Sequence, residues 1–289
     1  MESVIELADG LPCRLREAFD LGFLKRYGQV FRVFDDQDSG NLCFGVRNGE
    51  NRYFVKFAGA PTARYEGEPA DAVARLKATL PIYESLHHPN LIPFRFSEEA
   101  GGGFAMVFDW VDAECMGKMY PESRAKFMEL PDEKRMDVFD TVLSFLQSTA
   151  EQGYAAVDFY DGSILYDFGA EKTWICDIDF FVRKPYRNEM GRMWGSSRFM
   201  SPEEFQLGAP IDERTNVYLA GAVAFALFGG ETDRSREQWR LSTALYNVAK
   251  RAVSDRREDR CETLTSLAEA WENARRAGSE SVEKETEWL

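Results

Sequence analysis

Asp158-Phe159-Tyr160-Asp161-Gly162-Ser163-Ile164-Leu165, followed by Asp177-Ile178-Asp179-Phe180-Phe181, is the stretch whose reading decides the fold. An aspartate leads into a short turn in which Asp161 and Gly162 are natural turn residues, with Asp161 exposed by it. Ser163, small and polar, opens an apolar strand. A second strand, from Thr173 to Ile178, runs into acids. Asp177 and Asp179, two residues apart on a strand, are expected on one face, with Asp177 the second-tier candidate of the two.

The surroundings of that stretch are those of an ordinary globular chain. At 289 residues it can bury a sizeable core in one large domain or two lobes. Its net charge of −14 argues against a nucleic-acid or anionic-membrane surface, because phosphate contacts need clustered Lys and Arg. Five scattered cysteines form no CxxC pair, so neither a zinc site nor a disulfide framework is expected. The acidic N-terminus does not read as a signal peptide, and the apolar run Val217 to Gly230 is too short to span a bilayer. The expectation is a cytoplasmic protein with reduced thiols.

Taken in order, the chain changes period three times. Residues 1–30 read as a strand or turn, then a short helix from about Arg14 to Lys25. Val30–Phe34, Leu42–Val46 and Arg52–Phe57 read as a three-strand meander, with Asn48-Gly49 in its second turn. Val73, Leu76, Leu80 and Tyr83 follow Pro69 at helical spacing, with Pro81 expected to kink the helix. Gly101 to Gly103 precedes another strand, Phe104 to Val111. Pro131 opens a helix with acids in its first turn, and Gly153 closes it. Residues 277–289 read as a frayed charged tail.

With these landmarks in this order, the chain resembles the protein-kinase-like superfamily over roughly residues 30–275. Asp158 matches the catalytic Asp, and Asp179 the Asp of Asp-Phe-Gly. Lys56, in Val55-Lys56-Phe57, matches the strand lysine that holds ATP phosphates. His88-Pro89-Asn90-Leu91-Ile92 matches the junction after helix C. Gly195-Ser196-Ser197-Arg198-Phe199-Met200-Ser201-Pro202-Glu203 matches the end of the activation segment. The resemblance pairs Glu203 with Arg260 and makes Phe108 the gatekeeper. It reads adenine through the Asp109 carbonyl and the Val111 N–H, and gives Mg²⁺ to Asp179 and Ser163.

The implied fold is α+β and two-lobed. A small antiparallel β-rich lobe covers residues 1–111, with a hinge at 109–112. A helical lobe covers 112–289, with a catalytic loop at 158–165, a metal-binding stretch at 177–181 and an activation segment at 179–203. The implied activity is ATP- and Mg²⁺-dependent transfer to a Ser/Thr hydroxyl with Asp158 as base, on a protein substrate of unknown identity.

Several positions depart from the family pattern. The loop Asp35–Asn41 has one glycine and three acids, and Thr79 stands near the place of the glutamate that pairs with the lysine. Glu68 or Asp71 is an alternative partner. Ser163 replaces Asn, Phe181 replaces Gly, and Asn216 replaces an Asp that hydrogen-bonds the catalytic loop; Asn216 reads equally well as a helix N-cap. Three readings stay open: an active protein kinase, a pseudokinase or binding module, and a small-molecule kinase.

Overall fold

The structure is a computed structural model that describes residues 4–286, with side chains through Ala277. The chain divides into two compact units. One comprises Met1–Ser85 with Ile92–Asp112; the other comprises Leu86–Leu91 with Ala113–Leu289.

The first unit opens with a hairpin, β1 (Val4–Ala8) and β2 (Leu11–Leu15), joined through Asp9 and Gly10, both at positive φ. The helix expected from Arg14 to Lys25 is not formed. Cys13 and Leu15 are buried while Pro12 and Arg14 are exposed, a period of two that a strand satisfies and a helix does not. Only a 3₁₀ turn, Gly22–Arg26, remains of it.

Five strands then form an antiparallel sheet: β3 (Gln29–Phe34), β4 (Asn41–Asn48), β5 (Asn51–Ala58), β6 (Phe94–Ala100) and β7 (Gly103–Asp109), in the order β3-β4-β5-β7-β6. The meander was legible from strand alternation and Asn48-Gly49. One sheet face carries Leu42, Phe44, Val46, Val55, Phe57, Ala105 and Val107 and is buried under Cys13, Leu15, Leu24 and Tyr27. Phe23 meets Phe57 at 4.4 Å between ring centroids.

The opposite face carries Cys43, Lys56 and Met106 in register. Helix α1 (Pro69–Ser85) lies on this face, burying Ala72, Leu76, Thr79, Ile82 and Tyr83 at helical spacing. Pro81 falls on its exposed side, and the helix continues past it to Ser85.

In the second unit, α3 (Asp132–Glu151) and α4 (Glu213–Phe228) form the core with α6 (Leu264–Thr286), while α2 (Pro121–Met128) and α5 (Thr243–Ala252) flank them. Phe139 packs on Trp271 at 4.5 Å, and Phe225 on Trp239 at 5.0 Å. Every residue of α4 from Thr215 to Phe228 is buried, as expected of a helix that is apolar all round. Helix α6 runs through most of what was expected to be a frayed tail; residues 287–289 lie outside the described residues.

Short strands surround that core. β8 (Glu114–Cys115), β10 (Ile164–Asp167) and β11 (Lys172–Ile175) form one sheet. β9 (Tyr154–Ala155) pairs with β12 (Val182–Arg183), and β13 (Tyr186–Arg187) with β14 (Pro210–Ile211). The segment Leu86–Leu91 belongs here because its polar groups do. Gln152 accepts from His87 N at 3.0 Å and donates to His87 O at 3.0 Å, and Asn90 Nδ2 donates to Thr173 O at 2.8 Å.

The architecture is therefore mixed α+β, with an antiparallel β-rich N-terminal part and a helical C-terminal part. Among the described residues no helix is long and apolar enough to cross a membrane, and all five cysteines are free thiols.

Candidate functional site

The turn that begins at Asp158 is held from behind. Asn216 accepts from Ala156 N at 2.9 Å and donates to Ala156 O at 2.7 Å, so one buried amide saturates the backbone two residues before Asp158. Asn216 is not the N-cap that the sequence allowed. Asp212 caps α4, accepting from Arg214 N at 2.9 Å, which leaves Asn216 inside the helix and pointing at the loop.

Asp158 itself has φ of 57°, a left-handed conformation that Asp tolerates better than most residues. It is half-buried and lines a small cleft with Gly195, Ser196, Phe199, Met200 and Glu204. Gly195, with φ of 134°, brings its own backbone up to it.

After Asp158 the chain makes a 3₁₀ turn, Asp161–Ser163, and enters β10. Ser163 is wholly buried. Its hydroxyl accepts from Tyr160 N at 3.4 Å, and its carbonyl accepts from Cys176 N at 2.9 Å. That hydroxyl braces its own turn.

Asp161, expected at the exposed tip, is 2% exposed. The reason is charge. Arg198 grips it bidentately at 2.9 Å through both nitrogens, and Arg124 donates to it at 2.8 Å. Both arginines also reach Glu231, which Lys118 approaches at 3.1 Å. Burial would raise the Glu231 carboxyl, but Arg198 and Lys118 override it and hold it below its usual value.

Strand β11 stops at Ile175, so Asp177 and Asp179 are not two residues of one strand face. Asp177 is exposed with φ of 56°, and Asp179 sits half-buried in the following turn. Asp177 and Asp158 both lie near the Tyr160 phenol. The Tyr160 phenol is pushed well above its usual range by burial, then by the negative charges of Asp177 and Asp158. Asp177 and Asp161 also help burial raise the Cys115 thiol, to about 11.

Glu203 and Arg260 form the expected buried pair, with contacts of 2.7 and 3.1 Å. Arg257 and Thr215 add contacts of 2.6 and 3.0 Å. Burial opposes the Glu203 charge; Arg260 outweighs it, and the carboxyl lies below its usual value. The neighbouring Glu204 has no such cation. It accepts from Ser201 N and Oγ at 2.6 and 2.9 Å, and burial pushes it up to about 7.

In the first unit, Lys56 is 8% exposed at the centre of the sheet. Thr79, near the place expected for an acidic partner, is buried and donates to Leu76 O at 2.7 Å; Glu68 and Asp71 are exposed. The sheet beside Lys56 is aromatic. Gly45 and Phe54 are its neighbours on that face, and Phe31 and Trp110 lie over Gly45 with their rings 4.8 Å apart. A Cβ on Gly45 would meet both rings at 2.8 Å, so only glycine fits. Phe54 contacts Phe34 at 5.9 Å and Phe108 at 6.4 Å.

Two of the three acids in the loop before β4 are tied down locally, Asp35 by Arg14 at 2.8 Å and Asp36 by Arg64 at 2.6 Å. Asp109 closes β7, with its carboxylate held by Arg95 at 2.6 Å; Val111 follows in extended chain two residues on.

Among the described residues no three His, Cys, Asp or Glu side chains converge on a metal position. Mg²⁺ does not need such a cage, because it is commonly held by one or two carboxylates plus phosphate oxygens and water. The exposed Asp177 and the half-buried Asp179 fit that mode. Ser163, turned into its own loop, does not.

No protein-family model matches this chain, and no curated protein matches it.

Proposed function

We infer that the protein is an ATP-dependent phosphotransferase with a protein-kinase-like fold, which passes the γ-phosphate to a Ser/Thr hydroxyl of a protein substrate. The observation that carries this reading is Asp158: a left-handed, half-buried carboxylate at the mouth of a cleft, hung from Asn216 and faced by Gly195 and Ser196. In this role Asp158 orients the acceptor hydroxyl and takes its proton as the bond to phosphorus forms. Lys56 supplies a compact positive charge for nucleotide phosphate. The carboxylates of Asp177 and Asp179 would hold Mg²⁺, which neutralises phosphate charge when bound. Adenine would be read by the Asp109 carbonyl and the Val111 N–H, with the rings of Phe54 and Trp110 as a stacking surface.

The test is phosphotransfer from labelled ATP to protein acceptors, with Asp158→Asn beside the parent chain. A loss of about 10²–10⁴-fold is expected of a missing general base. Equal transfer by both proteins would overturn the assignment. A Mg²⁺-dependent rise in melting temperature with ATP should be lost in Asp177→Asn.

A second reading, a nucleotide-sensing module without turnover, is favoured by the Ser163 hydroxyl being engaged in its own turn. It predicts the thermal shift with no transfer to any acceptor.

A further inference from the structure

The second unit carries an apolar surface that its own chain leaves uncovered. Met190, Trp194, Phe205 and Leu207 are 46%, 52%, 43% and 73% exposed, and all lie within residues 190–207. They are brought together by backbone bonds. Met193 N donates to Glu204 O at 2.8 Å, and Gly208 N donates to Asn188 O at 2.7 Å. Buried Asn188 folds residues 188–191 into a turn, accepting from Met190 N at 2.9 Å and from Gly191 N at 3.1 Å. The patch is thus a fixed surface on ordered backbone. Exposed apolar residues gathered on one surface mark contact sites more often than singly scattered ones.

The charges on the patch point to its occupant. Arg192 lies over Phe205, 5.9 Å from the ring centroid, and its guanidinium donates only to the backbone carbonyls of Met193 and Gly195. Arg187 likewise donates to Gly208 O. Glu189 is exposed between them in sequence and makes no ion pair among the described residues. One surface therefore offers apolar anchors, two cations without acidic partners and one acid without a basic partner. Such a surface is complementary to itself. Under a two-fold operation Glu189 of each copy can face Arg192 or Arg187 of the other, while the apolar side chains meet near the axis. An acidic partner alone would leave Glu189 opposed to like charge.

We propose that residues 187–207 form a two-fold interface with a second copy of this chain. The apolar core is centred on Trp194 and Leu207, and Glu189 pairs across the axis with the arginines at its rim. This inference does not rest on the phosphotransferase reading, and its test reads mass rather than activity.

The test is sedimentation equilibrium of the full chain from low micromolar to hundred-micromolar concentration. The parent is expected to show a monomer–dimer equilibrium. Leu207→Glu should weaken association by about tenfold or more, since truncating or charging a central anchor costs most. Arg192→Glu and Glu189→Arg should each weaken it several-fold, roughly as rim charges do. The double variant should recover most of the parent's association, because the reversed pair is restored across a two-fold contact. All three positions are exposed, so the melting temperature at low concentration should be unchanged and serves as the folding control. A parent that stays monomeric at every concentration overturns the proposal. So does a dimer indifferent to Leu207→Glu, or a charge reversal that the double variant does not rescue. Association with a different protein but not with itself would also overturn it.

Discussion

Two carboxylates of the second unit, Glu203 and Asp161, are each buried between two arginines, and the two clusters differ in how far water enters. Around Glu203 the principal partner, Arg260, has a side chain with no exposure. Around Asp161 the arginines are 18% and 19% exposed, and Glu231 is 14% exposed. The first cluster joins Glu203 to Thr215 of α4 and to Arg260 ahead of α6; its inner arginine is shut off from water, while the outer Arg257 is 23% exposed. The second joins α2, the Asp158 turn, Arg198 and Glu231, and opens at its edge. A closed cluster acts as frame, and an open one as a clasp whose strength follows ionic conditions.

That contrast can be broken with single substitutions. The largest effect is expected from Arg260→Met, which leaves Glu203 buried with Arg257 alone. A loss of about 3 kcal/mol or more in chemical denaturation is the expected outcome for half of a buried pair. Asp161→Asn should cost less, about 1–3 kcal/mol, because Arg198 and Arg124 keep Glu231. In molar salt the Asp161→Asn deficit should shrink while that of Arg260→Met persists. Equal salt sensitivity would erase the distinction between frame and clasp.

The sharpest pH dependence belongs to Glu204. Its folded pKa of about 7 lies above the unfolded value, so the stability linked to its proton is complete below about pH 4.5 and is lost as pH rises through 7. Glu203, held below its usual value, contributes the opposite way. Its stabilisation is present above the ordinary carboxylate range and lost as pH falls through its lowered pKa. Glu204→Gln should therefore flatten the decline in stability between pH 4.5 and 7 while leaving acid unfolding in place. A decline unchanged in that variant would show that another group titrates there.

The frame was more legible in the sequence than the site. The first-unit meander followed from strand alternation and Asn48-Gly49, and α3 from Pro131 and Gly153. The Glu203–Arg260 pair followed from the resemblance. The β1–β2 hairpin was missed although Asp9-Gly10 is a hairpin turn signal, because Arg14 to Lys25 has helix-compatible composition. Asp161 was misjudged because its partners, at 124, 198 and 231, are scattered and only folding assembles them. Asp177 and Asp179 were expected on one strand face, but β11 ends at Ile175, before either of them. Composition carries periodicity well. It does not carry which distant cation will reach a given acid.

The excursion of Leu86–Leu91 into the second unit has a consequence for anyone who divides this gene. Neither unit is a single continuous stretch of the chain. A clone started at Ala113 lacks the strap whose Asn90 and Leu91 dock on Thr173 and Ile175 beside the acids. A clone ended at Asp112 carries that strap with nothing to receive it. Dissection by truncation would thus yield two damaged halves, and a circular permutant or a split-and-reassemble pair would be needed to study either unit intact.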